Sequence, residues 1–432
     1  MRHVRSDPGD RQSGSQAGNG FVSGSGAVVS EPVLPAYDGG CIASVTPNLI
    51  GKVYGTVGSL PEWMPAALAD ASQIVLLLLD GVGWAQLIEA RGVTPTLASG
   101  AGGPITSVCP TTTATALTSI ATGLVPAAHG IVGYRFLVDR NGDKDADRPA
   151  PLNGAGGSFA VAGSKADGAD SGRARILNVL RWRTEDGDAR RTYKPRQIQP
   201  VDAFGGREIP AVTRGEFVAT GFSAAHLGGA RIFGWQVPST LVVTVRRLLA
   251  QGEPFVHAYY DGPDKVAHEH GLGEHYEAEL HAVDRLVGDL IDELPPGACL
   301  VVTSDHGQVD VGRSAELPAN EVMDASWLAS GEGRFRWYHA RKGAAADLEA
   351  AAIEFHGDKA WVRSKEQILD EAWFGGPLSA SVAGRLGDIA LVAHQPVAFL
   401  DPADTGETRL AARHGSLTRA EMMVPLLAFG PR

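Results

Sequence analysis

The chain has only three cysteines in 432 residues, and Cys41, Cys109 and Cys299 lie far apart. An odd, scattered set excludes a disulfide framework and fits a reducing compartment. Each is read as a small buried hydrophobe, the usual fate of a free thiol. No run approaches the roughly 18 apolar residues that a membrane span requires. The opening stretch MRHVRSDPGDRQSGSQAGNG has early arginines but no apolar segment behind them, so it does not read as a secretory signal. A cytoplasmic protein with no membrane partner is expected. No basic block stands out either. Lys and Arg number 38 against 49 Asp and Glu, a net charge of -11, which argues against a nucleic-acid scaffold. An acidic enzyme can still bind anionic phosphate where metal ions dominate the local field.

What is present is an ordinary globular composition, 44% hydrophobic and 20% charged, in a chain long enough for a large core. Residues 1–35 are rich in Gly, Ser, Asp and Arg at their start and are expected to be a flexible tail ahead of a catalytic domain at 36–432. A helix-like stretch is expected around Pro61 to Ala69. IVLLLLD, Ile74 to Asp80, is short, continuously apolar and ends in an acid, which suits a strand buried on both faces. PFVHAYYDGPD, Pro254 to Asp264, and CLVVTSDHG, Cys299 to Gly307, repeat that pattern, and DIALVA, Asp388 to Ala393, offers a fourth strand. Between the second and third, His275 to Leu294 places apolar residues at three- and four-residue spacing, as an amphipathic helix does. Strands alternating with helices predict an α/β fold with a mainly parallel central sheet flanked by helices. Ligands in such sheets sit beyond the carboxyl ends of the strands, where Asp80, Asp264 and Asp305 fall. Two stretches break the rhythm. Residues 136–175 are polar and rich in Gly and Asp, and read as a loop insertion. Residues 310–387 carry aromatics (Trp327, Phe335, Trp337, Tyr338, Trp361) with weaker rhythm, and are expected to form a small cap subdomain.

Five short constellations carry chemistry. Asp264 and His268 are four residues apart, on one face if helical, and suit a zinc ion. Asp305 and His306 follow a strand and turn through Gly307, where adjacent side chains can converge on one ion. Asp80 ends an apolar run, where it could equally cap the next helix. Thr111, Thr112 and Thr113 open a helix, whose backbone N–H groups favour an anion. His414 stands late in the chain between Arg413 and Gly415. Each has an ordinary explanation alone. Together they would fill two metal sites and leave positions open for substrate.

In order, LLLDGVG, PTTT followed by TGLVPAAHGI, YYDGPDKVAHEHG, TSDHG and RHGSLTRAEMMVPLL resemble the alkaline phosphatase superfamily. The branch most resembled is the type I phosphodiesterase/nucleotide pyrophosphatase one, over about Ile74 to Phe429. The resemblance implies an alkaline-phosphatase-like fold and a two-zinc hydrolase of small phosphate esters or nucleotides, with manganese acceptable to the same ligands. It implies Asp264, His268 and His414 at one zinc, and Asp80, Asp305 and His306 at the other. Thr113 would be the nucleophile, three residues after Pro110 and ten before Gly123, with Thr112 as the alternative. The chain departs from the branch after His129-Gly130-Ile131, where Tyr134 takes the position of a phosphate-binding Asn. Tyr134 is therefore a candidate substrate contact, as are Asn178 and Trp182 in ILNVLRW.

Other readings are weaker. A sulfatase needs Cys-x-Pro-x-Arg, which Cys109-Pro110 lacks. A cofactor-independent phosphoglycerate mutase needs a Ser nucleophile and a large inserted domain. A phosphomonoesterase or phosphonate hydrolase needs added positive charge at the phosphate, for which Arg135 and Arg181 are candidates. A non-catalytic zinc-binding protein on this scaffold is the reading from outside enzymology. A Rossmann site is excluded, since Gly81-x-Gly83 lacks the third glycine. The oligomeric state leaves no mark on the sequence.

Overall fold

The computed structural model describes residues 30–139, 174–312, 314–404 and 409–430. Most of the expected tail and the middle of the expected insertion lie outside these. Where the tail's last residues are described, the chain is already engaged: the Val33 N–H donates to the Leu417 carbonyl at 2.9 Å.

A seven-stranded sheet forms the centre. Its strands are β1 (Gln73–Leu79), β2 (Ala101–Thr106), β3 (Pro210–Arg214), β4 (Arg231–Trp235), β5 (Phe255–Tyr260), β6 (Ala298–Thr303) and β7 (Met423–Phe429), in the order β2-β7-β6-β1-β5-β3-β4. The pairings β6–β1, β1–β5, β5–β3 and β3–β4 are parallel, and only β7 runs against its neighbours. The mainly parallel α/β fold is therefore as expected. Ile74 to Leu79 of β1 are all fully buried, because helices cover both faces of a parallel sheet.

The helices that matter here are α1 (Ile42–Val53), α2 (Thr113–Thr122), α3 (Pro238–Ala250), α4 (Gly262–His270) and α5 (Glu274–Asp292). On one face Val75, Leu77 and Leu79 meet Leu241, Val245 and Leu248 of α3 and Leu280, Val283, Leu286 and Leu290 of α5. The three- and four-residue spacing within each helix is what turns one stripe to the sheet. Helices α1 and α2 pack on each other. The helix expected around Pro61 to Ala69 is only a 3-10 turn, Ala66–Leu68, and the preceding regular helix is α1.

Two expectations are corrected outside the centre. Ile389–Ala393 is not a strand of the parallel sheet. It lies between Phe335–Ala340 and Ala360–Ser364, antiparallel to both, in a second sheet completed by Ser326–Glu332. The stretch expected to be a small cap subdomain, 310–387, supplies three of that sheet's four strands and has its own small core around Leu348, Ala352 and Leu391. The ends of the expected insertion are strands as well: Arg135–Asp139 pairs antiparallel with Arg175–Asn178.

Three histidines are buried in this framework. Burial lowers the pKa of His129 to about 3, helped by Arg385, that of His226 to about 4, and that of His257 to about 3, helped by His226. Unfolded, each returns to 6.5. A depressed folded value means that stability is complete above pH 6.5 and is lost as the pH falls towards the folded values. The urea midpoint should therefore drop between pH 6.5 and about 4, and drop less in His257→Leu, whose imidazole Nδ1 has no partner among the described residues.

Candidate metal centre

Five segments meet at the carboxyl edge of the central sheet. Asp80 follows β1, and its N–H stays in the ladder by donating to the Tyr260 carbonyl at 2.9 Å. It does not cap the next helix, Trp84–Glu89, whose first capping residue is Gly83. Asp305 and His306 follow β6 and are fully buried. Asp264 and His268 sit one turn apart on α4, with His268 Nε2 3.3 Å from Asp264 Oδ1. His414 reaches the same oxygen at 3.8 Å. His306 Nε2 lies 3.5 Å from Asp80 Oδ1 and 3.3 Å from Asp305 Oδ2. The His306 and His414 rings stack at 3.6 Å, so the two groups of ligands abut.

The backbone sets each imidazole's tautomer. His268 Nδ1 donates to the Ala412 carbonyl at 2.8 Å, His414 Nδ1 to Thr111 at 2.8 Å, and His306 Nδ1 to Gly307 at 3.1 Å. A carbonyl can only accept, so each Nδ1 carries the proton and each Nε2 offers a lone pair to the cluster. The carboxylates are oriented in the same way. Tyr259 donates its hydroxyl to Asp80 Oδ2. The N–H groups of Gly81 and His306 both donate to Asp305 Oδ1 at 3.1 Å. Gln308 Nε2 donates to Asp264 Oδ1 at 2.6 Å. Asp80 Oδ1 and Asp305 Oδ2 are buried and have no hydrogen-bond partner among the described residues. Two glycines permit this crowding. At Gly81, with φ +72°, a Cβ would sit 2.7 Å from Gln308 Nε2, and at Gly307 it would sit 1.9 Å from the Ala420 carbonyl oxygen.

The electrostatics call for a cation. Burial pushes the Asp80 carboxyl well above its ordinary range, and the charges of Asp305 and Asp264 push it further. Burial raises Asp305 too. It also holds His414 well below the ordinary imidazole value, with His306 and His268 adding to the effect. A bound divalent cation removes the cause of each shift, since it replaces lost hydration and favours deprotonated ligands. Ligand atoms within 4.8 Å of one another group as Asp264, His268 and His414, and as Asp80, Asp264 and His306. Asp264 belongs to both groups, a sharing that spacing along the chain does not reveal. The mixed carboxylate and imidazole set suits a divalent metal ion.

Of the three threonines, Thr113 is the one whose side chain reaches this cluster among the described residues. It opens α2 and its Oγ1 is 3.1 Å from His306 Nε2. Thr111 is spent on the backbone, donating to the Ser416 carbonyl and accepting from Gly415 N–H. Thr112 caps α2 without a side-chain hydrogen bond, so its own hydroxyl does not occupy the helix's first N–H groups.

Among the other candidates, Asn178 Nδ2 donates to the Tyr134 hydroxyl at 2.7 Å, which joins the two expected substrate contacts in one pair. Trp182 is corrected: it is fully buried and its Nε1 donates to the Tyr193 carbonyl, so it packs in the core. Arg135 is corrected as a free phosphate-binding charge, since its Nη1 is 2.8 Å from Asp401 and 3.3 Å from Asp404. Sequence reasoning missed Tyr259 and Gln308. Gln308 stands two residues past His306. Tyr259 sits inside an apolar strand, where only its hydroxyl hints at a role.

A sheet-edge cluster of this kind beside a hydroxyl at a helix start defines a metal-dependent hydrolase centre. The family model for type I phosphodiesterase / nucleotide pyrophosphatase matches residues 74–417, and the chain belongs to that family. It is accordingly a metal-dependent hydrolase of phosphoric esters. No curated protein sequence matches it well enough to count as a relative. Among solved structures, murine ectonucleotide pyrophosphatase / phosphodiesterase 5 matches with a TM-score of 0.56 at 16% identity, covering 83% of this chain and 88% of that one. The human protein of that name matches with a TM-score of 0.58 at 15% identity, with the same coverage. At such identity these matches speak for the fold. A further murine structure, at TM-score 0.56, is an inactive threonine-to-alanine variant in complex with AMP.

The Tyr259 hydroxyl orients Asp80 without reaching the cluster otherwise. Tyr259→Phe keeps the ring's packing and should weaken metal affinity about 10- to 100-fold, read by competition with a chelator.

Proposed function

We propose that this enzyme is a two-zinc phosphodiesterase of the nucleotide pyrophosphatase kind, working through a phosphoryl-threonine at Thr113. The observation that carries the reading is the 3.1 Å approach of Thr113 Oγ1 to His306 Nε2 at the start of α2. Divalent cations, one held by Asp264, His268 and His414 and the other by Asp80, Asp305 and His306, would supply Lewis acidity that lowers hydroxyl and water pKa values and offsets phosphate charge.

The chain's own groups supply the rest. The Thr113 hydroxyl gives its proton to solvent and its oxygen forms a bond to phosphorus as the bond to the leaving oxygen breaks; the leaving alkoxide takes up a proton and departs as the alcohol. Water then breaks the phosphothreonine bond and restores the hydroxyl. The open N–H groups at the start of α2 hold the phosphoryl oxygens. The Nδ1–carbonyl bonds of the three histidines keep their rings from turning between the two steps. We assign the phosphate's flank to Tyr134, with Asn178 orienting its hydroxyl.

A diester is favoured over a monoester because, of the two charges a monoester could use, Arg135 is neutralised by Asp401 and Asp404 and Arg181 lines a cavity that no metal ligand lines. The AMP found on the murine neighbour supports a nucleotide substrate. Zinc is favoured over manganese by the imidazole-rich set at Asp264, His268 and His414. We further propose a cytoplasmic location, supported by three buried, free cysteines. Among the described residues no helix is long and apolar enough to cross a membrane.

Hydrolysis of bis-p-nitrophenyl phosphate should exceed that of p-nitrophenyl phosphate. Thr113→Ala should lose roughly a thousandfold or more in kcat while still binding zinc. A monoester preference would make the enzyme a phosphatase. An active Thr113→Ala would remove Thr113 as nucleophile.

A further inference from the structure

Away from the metal cluster, a cavity of about 450 Å³ opens between the strand pair at 135–139 and 175–178, the strand Ser326–Glu332 and the loop at 400–404. Neither Thr113 nor any residue of the metal cluster lines it, and the one lining residue shared with the proposed substrate flank is Asn178, the partner of Tyr134. A volume of this order takes a whole small organic molecule. Its apolar wall includes Trp327, Leu328, Met323 and Ile176. Trp327 is half-buried, which leaves part of the indole available for contact.

The charge of the cavity runs against that of the molecule. The whole chain carries -11, yet Arg135, Arg181, Arg183 and Arg341 all line this space. Asp401 and Asp404 line it too, and both are engaged with Arg135. Glu185 is the remaining acid, and it lies 3.6 Å from Arg175, outside the cavity wall. Arg181 and Arg183 form no ion pair among the described residues. Asp188, the cross-strand partner of Arg183, takes three hydrogen bonds from the Arg190 guanidinium and feels Arg183 only through its charge. Arg341 uses its Nε on the Asp324 carbonyl at 2.8 Å, a contact that leaves its charge uncompensated. Four guanidinium groups and three carboxylates therefore line one cavity, and three of the guanidinium groups, those of Arg181, Arg183 and Arg341, form no ion pair among the described residues.

We propose that this cavity is a binding site, separate from the metal centre, for a small organic anion with an apolar body and a carboxylate, sulfonate or phosphate head. The head matches the planar, forked donors of Arg181, Arg183 and Arg341. The body matches Trp327 and its aliphatic neighbours. The inference goes beyond the hydrolytic reading and does not depend on it, because binding here is measured without turnover.

The probe is 1-anilinonaphthalene-8-sulfonate, whose fluorescence rises in an apolar site, with N-phenyl-1-naphthylamine as the neutral analogue. The full chain should bind the sulfonate saturably at one site. The double variant Arg181→Ala/Arg183→Ala should bind it about tenfold more weakly, and high salt should weaken wild-type binding. Trp327→Ala should weaken binding of the sulfonate as well. If the double alanine variant fails to fold by circular dichroism, Arg181→Gln and Arg183→Gln read the same effect singly. Unchanged affinity in the arginine variants would overturn the proposal, as would a neutral analogue that binds as tightly as the sulfonate.

Discussion

Three carboxylates and three imidazoles share a site from which most water is excluded, and this crowding is the constraint on which the rest depends. Asp80, Asp305 and Asp264 repel one another, and burial withholds the hydration that would offset the repulsion. Such a group is costly to bury unless a cation is bound among its members. The fold tolerates it because the protein's own donors hold one oxygen each of Asp80 and Asp305 and leave the other bare.

The surrounding architecture keeps that arrangement in place. Parallel strands β1, β5 and β6 end side by side, so the residues just beyond them are neighbours despite lying far apart in the chain. The second sheet takes part through a buried clamp. Arg334, just before the strand Phe335–Ala340, donates from Nε and Nη2 to the two carboxylate oxygens of Glu421 at 2.7 and 2.8 Å. Glu421 also accepts from Ser416 N–H and the Thr418 hydroxyl. The loop that carries His414 is thereby tied to the second sheet, so the part of the chain expected to be a cap helps to hold a metal ligand.

How much of this was legible depended on local chemistry. Strand β1 was readable because Ile74 to Leu79 are apolar without interruption, and Asp264 with His268 because four-residue spacing fixes one helix face. Strands β3 and β4, PAVTR and RIFGW, are too short and mixed to declare a period. The second sheet was hidden by arginines that its pattern cannot explain. Arg334 and Arg336 are fully buried, and Arg336 is held by the carbonyls of Phe399 and Gly331. Ile389–Ala393 belongs to the second sheet, which its sequence does not reveal because a five-residue apolar run looks the same in any strand covered on both faces. His414 alone says nothing. Its role is visible only once the bond from its Nδ1 to the Thr111 carbonyl brings the end of the chain to the start of α2.

We propose that these ligands hold two metal ions side by side. Anomalous diffraction at the zinc edge from crystals grown with zinc tests it most directly. The account predicts two peaks, one enclosed by Asp264, His268 and His414 and one by Asp80, Asp305 and His306 next to Thr113. A single peak, or peaks only at surface histidines such as His270 and His275, would contradict it.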